Sequence, residues 1–212
     1  VIIQGESPLT KTADEDTTFS WTAAELNATD SDTNASDLTW SVSSAAANGT
    51  AYVSGSAASP TTFTYVPDGN YSGSDSFVVQ VSDGALTDLI TVNVTIKPVP
   101  DAPVIIQGEG PLTKTANEDT IFSWNASELN ATDSDTPDNT LIWTLKTNPS
   151  NGTATVAGTG SAPTTFTYLP DGNYSGSDSF VVQVSDGALT DLITVNVTIS
   201  PVNDAPMITQ GE

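Results

Sequence analysis

The sequence predicts an all-β chain built as two tandem seven-stranded Greek-key β-sandwiches joined by a short proline-rich linker. Residues 1–103 and 104–206 align at a constant offset of 103 without a gap, and Pro67 to Ile96 is identical to Pro170 to Ile199. Within each copy, short runs alternate apolar and polar residues, the period of a half-buried strand, and helical periodicity is absent. Turn signals separate the runs at matching places. Each copy, at about 100 residues, is the size of one independently folding domain. Boundaries are expected at 1–103 and 104–206, each with its linker, with 207–212 opening a third copy.

Taken in order, Leu38, Trp40 and Val42 share one face of a strand, as do Phe63 and Tyr65 in the next. Phe77, Val79 and Val81 form a third such face, and Ile90, Val92, Val94 and Ile96 a fourth. Between them stand Asn48-Gly49, Pro67-Asp68-Gly69, Ser72-Gly73 and Asp83-Gly84, repeated as Asn151-Gly152, Pro170-Asp171-Gly172, Ser175-Gly176 and Asp186-Gly187. Roughly seven short strands in about 100 residues is the profile of a Greek-key sandwich. Trp21, Trp40, Trp124 and Trp143 are expected in the cores. The linkers, Lys97-Pro98-Val99-Pro100-Asp101-Ala102-Pro103 and Ser200-Pro201-Val202-Asn203-Asp204-Ala205-Pro206, are proline-dense and therefore extended and semi-rigid.

Composition removes whole classes of function. The formal charge is −22, from 26 acids against four lysines and no arginine, so there is no basic face for nucleic acid or for anionic membrane. The natural partners of such a surface are cations. There is no cysteine and no histidine, which excludes disulfides, Ser–His and Cys–His nucleophiles and the commonest zinc ligands. No apolar run reaches membrane-spanning length. An enzyme would have to rest on paired carboxylates, and such a site occurs once in a cleft, not twice in near-identical copies; none is expected.

The acids form a pattern. Asp75 and Asp83 share the parity of Phe77, Val79 and Val81, and eight residues of strand hold them about 26 Å apart, at opposite poles and too distant for joint acid–base work. Asp30-Ser31-Asp32 is followed by Asn34 and Asp37, and Asp133-Ser134-Asp135 by Asp138 and Asn139. Clustered oxygen ligands without nitrogen or sulfur suit a hard cation, calcium better than magnesium because calcium accepts six to eight oxygens in irregular geometry. The plainer alternative is a set of solvated loop acids.

Here the sequence resembles a known family. Ala28-Thr29-Asp30-Ser31-Asp32-Thr33-Asn34 followed by Leu38-Thr39-Trp40-Ser41 is similar to the cadherin DxD motif and its next strand. Val79-Gln80-Val81-Ser82-Asp83-Gly84, the strand to Ile96 and the Asp101 linker resemble the end of a cadherin domain with its calcium linker. Glu15 sits where cadherins place an early glutamate ligand. Phe63-Thr64-Tyr65-Val66-Pro67-Asp68, with Tyr71 to Phe77, is closer to the cadherin-like, Ig-like repeats of giant bacterial calcium-dependent surface adhesins.

The resemblance implies one complete Ca²⁺ cluster where the copies join, from Glu15, Asp68 and Asp75 of the first, Asp101 of the linker, and Asp133, Asp135 and Asp186 of the second. Asp30, Asp32 and Asp83 would form one open half-site; Glu118, Asp171, Asp178, Asn203 and Asp204 would form the other. Pro100 stands where the second linker has Asn203, and Pro67-Asp68-Gly69-Asn70 replaces a second cadherin acid; one to three ions per junction are expected. The implied function is a calcium-rigidified extracellular or cell-surface spacer and adhesion module whose partners are calcium and neighbouring repeats. The alternatives are a module binding cell-surface or matrix polysaccharide, for which Tyr52 is the exposed-aromatic candidate, and homophilic adhesion to a like molecule. Ice binding through Thr91 and Thr95 beside Asn93 reads more simply as a solvent face.

Overall fold

The computed structural model describes residues 1–5 and 7–208, so Glu6 and the end of the stub, 209–212, lie outside the described residues. The chain divides into two compact units, Val1–Val99 and Pro100–Glu212, with the division falling inside the linker.

In repeat 1 the strands are β1 (Leu9–Asp14), β2 (Phe19–Ser20), β3 (Thr39–Ser44), β4 (Gly49–Ser56), β5 (Thr62–Pro67), β6 (Gly73–Ser82) and β7 (Thr87–Lys97). They form one continuous ladder in the order β1-β7-β6-β3-β4-β5-β2. All neighbours are antiparallel except β1, which runs parallel to β7 from Leu9↔Val92 to Asp14↔Lys97. The joint between β3 and β4 is narrow, only Thr39↔Ser56 and Trp40↔Gly55. There the ribbon turns over, with Gly55 at φ +133° where an L side chain would be strained. The result is an all-β sandwich closing towards a barrel.

Repeat 2 repeats this plan. Its strands are β8 (Val104–Ile105), β9 (Leu112–Asn117), β10 (Phe122–Ser123), β11 (Ala131–Thr132), β12 (Ile142–Thr147), β13 (Gly152–Thr159), β14 (Thr165–Pro170), β15 (Gly176–Ser185) and β16 (Thr190–Ser200). The seven-stranded order is β10-β14-β13-β12-β15-β16-β9, with β9 parallel to β16. β8 and β11 add a short antiparallel pair, which repeat 1 makes as the single bridge Ile2↔Ala28.

The alternating faces meet in one core per repeat. Trp40, Phe63, Tyr65 and Phe77 are buried, as are their counterparts Trp143, Phe166, Tyr168 and Phe180. Trp21 is half-buried and tilts onto Phe63 at a centroid distance of 5.0 Å; Trp124 does the same to Phe166 at 4.9 Å. Each fully buried aromatic contributes about 1.5–3 kcal/mol. Under each half-buried tryptophan lies a buried lysine. Lys11 pairs with Glu25 and lies 5.8 Å from the ring centroids of Trp21 and Phe63; Lys114 pairs with Glu128 beside Trp124 and Phe166.

One carboxylate per repeat is built into this core. Asp75, 8% exposed, accepts hydrogen bonds from the backbone N–H of Ala47 (3.0 Å), Asn48 (2.9 Å) and Ser76 (2.8 Å) and from the Tyr65 hydroxyl (2.6 Å). Asp178 is held alike by Ser150, Asn151, Ser179 and Tyr168. The Asn-Gly turn belongs to the same lock. A Cβ on Gly49 would stand 2.4 Å from the Tyr65 oxygen, so only glycine lets the ring reach Asp75. Both oxygens of each aspartate are therefore committed to protein donors. The family resemblance implied a ligand role for Asp75 and Asp178; the structure places both at the edge of the core, each with four protein donors.

Burial alone would raise the pKa of Asp75, but the Tyr65 hydroxyl and the three N–H donors outweigh it and hold the carboxyl below its ordinary value. Burial and the adjacent carboxylate push Tyr65 up. A depressed carboxylate stabilises the fold fully above its unfolded pKa near 3.9, and the gain is lost as pH falls through the folded value. Asp75→Asn turns an NH₂ towards N–H donors and should cost repeat 1 about 2–3 kcal/mol at neutral pH. Chemical denaturation across pH checks this: the gap between variant and wild type should be full above about pH 4 and shrink below it.

Candidate functional site

The remaining acids gather at two places in each repeat. At one end, the loop after β11 carries Asp133-Ser134-Asp135. Asp133 turns back on its own loop, its Oδ1 accepting from the N–H of Asp135 (3.1 Å) and Thr136 (2.8 Å), while its N–H donates to Asp138 at 3.0 Å. Its other oxygen, Oδ2, is buried without a hydrogen-bond partner. A buried acceptor left without a donor is costly unless a cation faces it.

Asp101 joins this group. Its carboxylate accepts from Ser134 Oγ at 2.6 Å, and its backbone N–H lies near enough to the Asp135 carboxyl to favour the ionised form. Burial raises Asp133, but the Asp135 carboxyl beside it and the N–H groups of Thr136 and Asp135 bring it below its usual value. Asp135 is pushed up chiefly by Asp133, because two adjacent carboxylates do not readily ionise together. Asp186 spends one oxygen on the N–H of Ala188 and Leu189, both at 2.6 Å.

Repeat 1 shows the same arrangement. Asp32 and the N–H groups of Asp32 and Thr33 hold Asp30 down to about 2, whereas Asp32 is raised by Asp30 and feels Asp83 as well. Asp83 is lowered by the N–H of Leu86 and Ala85. Asp30 and Asp83 line one open cavity at this end of the repeat.

At the other end of repeat 2, carboxylate oxygens of Glu118, Asp119 and Asp204 lie within 4.8 Å of one another. Glu118 is 5% exposed and clamps the departing chain: its N–H donates to the Ser200 carbonyl (3.0 Å) and its Oε1 accepts from Val202 N–H (2.8 Å). Asp119 sits in the left-handed region at φ +61°, its Oδ1 accepting from Asn173 N–H at 2.8 Å. In repeat 1, Glu15 makes the same clamp to Lys97 and Val99, and Asp16, at φ +59°, accepts from Asn70.

Asp119 and its equivalent Asp16 are the residues that sequence reasoning missed. They follow the early glutamate in both copies, in Asp14-Glu15-Asp16 and Asn117-Glu118-Asp119, which is the signal that could have found them. Asp171 and Asp68 stand exposed on the neighbouring turn, their N–H groups bonded to Asn151 and Asn48, and Asp171 is not part of the three-acid cluster. Asn203 is exposed, its amide reaching only the Asp204 carbonyl at 3.4 Å.

This fold defines a tandem of Ig-like, cadherin-like domains. The family model described as bacterial Ig domain matches residues 2–95 and again 100–198, so the chain belongs to the bacterial Ig domain family. Among solved structures it is similar to Drosophila N-cadherin EC1-4, at 14% identity over 92% of this chain and 48% of that one, with a TM-score of 0.50. It is similar also to human protocadherin-24 EC1-2, at 14% identity over 96% and 97% of the two chains (TM-score 0.48). A third match is the endo-fucoidan hydrolase MfFcnA4_H294Q from glycoside hydrolase family 107, at 16% identity over 93% of this chain (TM-score 0.39). The chain spans 28% of that hydrolase. Ig-like domains of this kind are typically extracellular and non-enzymatic. No helix among the described residues is long and apolar enough to cross a membrane.

Asp135→Asn removes one of two facing charges and offers an amide donor to the unpartnered Asp133 oxygen. Its thermal midpoint, measured by calorimetry in chelator, should rise above that of wild type.

Proposed function

We propose that the chain is a non-enzymatic, calcium-binding spacer and adhesion module of an extracellular or cell-surface array, in which Ca²⁺ held at the linkers fixes one repeat against the next. The supporting observation is the use that repeat 2 makes of the two linker aspartates. Asp101, ahead of the repeat, meets Ser134 and Asp135 at one end, whereas Asp204, one period later, meets Glu118 and Asp119 at the other. Because the two aspartates occupy the same position of the repeat, a linker aspartate is suited both to the end of the repeat it leaves and to the head of the repeat it enters.

The donor set fits calcium. It consists only of oxygens, several of them carboxylates, in irregular loop geometry. One Asp133 oxygen already lacks a donor, and Asp135 resists ionisation beside Asp133. A bound divalent ion would supply the missing positive charge, removing the repulsion among Asp133, Asp135 and Asp101 and among Glu118, Asp119 and Asp204. Glu118 and Glu15 would orient the departing chain through their Val202 and Val99 clamps. At millimolar calcium and a Kd of about 0.1 mM, each filled site stabilises the bound arrangement by about 1.4 kcal/mol.

The polysaccharide reading is weaker. Tyr52, its exposed aromatic, is replaced by Thr155 in the second copy.

Calorimetric titration with calcium, paired with solution scattering, tests the proposal. Calcium should bind with heat, and the maximum dimension should rise and its distribution narrow relative to chelator. Asp101→Ala should remove the stiffening while leaving both thermal transitions in place, and Asp204→Ala should lower the number of ions bound without changing the stiffness. Identical scattering in calcium and in chelator would overturn the reading.

A further inference from the structure

The sequence contains two Asn-Gly steps, Asn48-Gly49 and Asn151-Gly152, and each lies in the turn that holds a buried aspartate. Asn-Gly is the dipeptide most open to spontaneous deamidation, because glycine puts no side chain between the attacking nitrogen and the asparagine amide. Both steps are half-buried and clamped. The Asn48 N–H donates to Asp75 at 2.9 Å, and its carbonyl accepts from the Asp68 N–H at 2.9 Å and shares the Tyr65 hydroxyl at 3.1 Å. A Cβ on Gly49 would meet the Tyr65 oxygen, so the lock itself demands the glycine that makes the step labile. Asn151 is held by Asp178, Asp171 and Tyr168 at 2.9, 2.9 and 3.2 Å, beside a Gly152 equally short of room. Alternate residues of an antiparallel ladder face the partner strand, and Asn48 already faces β5, so the Gly49 N–H points away from that strand. The nucleophile is present, and the closed turn keeps it from its target.

We propose that Asn48 and Asn151 are deamidation sites that the aspartate lock holds closed, and that opening the lock lets each convert irreversibly. Ring closure needs rotation about the bond between Asn48 Cα and its carbonyl carbon, which swings that carbonyl away from Asp68 and Tyr65. With the turn open, the Gly49 nitrogen bonds to Asn48 Cγ and the Cγ–Nδ2 bond breaks. Water takes the Gly49 proton and returns one to Nδ2, which leaves as ammonia. Water then opens the five-membered imide at either carbonyl, leaving aspartate or isoaspartate. Either product adds a negative charge to the residue whose N–H serves Asp75. Isoaspartate also routes the backbone through the side chain, one methylene longer, so the N–H and carbonyl no longer match their partners. The lock cannot then reclose, and the repeat ages from this turn.

The test incubates the full chain at mildly alkaline pH and maps its peptides by mass spectrometry, reading the mass gained when an amide becomes a carboxyl, with isoaspartate scored by methyltransferase labelling. Folded wild type should convert both sites slowly and alike, and unfolded chain both fast. Tyr65→Phe keeps the ring and removes one donor, so it should speed Asn48 about tenfold over Asn151 of the same molecule, and Tyr168→Phe should do the reverse. Val79→Ala truncates the buried core of repeat 1 and leaves the turn intact. At an equal or greater loss of thermal midpoint it should speed Asn48 less than Tyr65→Phe does, because conversion follows the opening of the turn and not the loss of the core. Equal rates at the two sites in Tyr65→Phe, folded wild type converting as fast as unfolded chain, or as much acceleration from Val79→Ala would each overturn the proposal.

Discussion

A carboxylate withdrawn from water must be given donors or a cation, and this chain has 26 acids to provide for with four lysines. Two of those lysines, Lys11 and Lys114, are sunk under tryptophans against Glu25 and Glu128, and the other two, Lys97 and Lys146, are exposed. The backbone therefore does most of the neutralising. Asp75 and Asp178 take all the donors they can hold and become part of the core. Asp83 and Asp186 take two N–H groups on one oxygen. Asp30 and Asp133 do the same within their own loops yet face the carboxyl groups of Asp32 and Asp135, and Glu118, Asp119 and Asp204 face one another.

Much of the fold was legible because strand periodicity is a local signal. The faces read from Leu38-Trp40-Val42, Phe63-Tyr65, Phe77 to Val81 and Ile90 to Ile96 are those that meet in the core of repeat 1. The parallel pairing of β1 with β7 was not legible, since it joins residues some eighty positions apart and leaves no mark on either strand. Trp21 was placed in the core and is only half-buried, tilted onto Phe63 with the Lys11 ammonium 5.8 Å from its ring centroid.

The site was legible by residue type and only partly by role. The parity of Asp75 correctly pointed it inward, but its donors come from a turn 27 and 28 residues earlier, which parity cannot reveal. Asp16 and Asp119 were overlooked for a similar reason. Each is fixed by a backbone N–H 54 residues away and by a left-handed backbone that a motif does not display. The DxD loops were easier, since the Asp30 and Asp133 carboxylates accept from N–H groups two and three residues further along the same loop.

The parallel ladder between the first and last strands of each repeat has a mechanical consequence. The chain enters β1 at Leu9, beside Val92, and leaves β7 past Lys97, beside Asp14, so tension between the two ends pulls these strands lengthwise past each other. Hydrogen bonds loaded in that direction share the force and must break together, unlike those of a hairpin unzipped from its end. Glu15 extends the ladder one step, bonding Lys97 through its backbone and Val99 through its side chain. A domain loaded this way fails by its unfolding rate, not by its equilibrium stability.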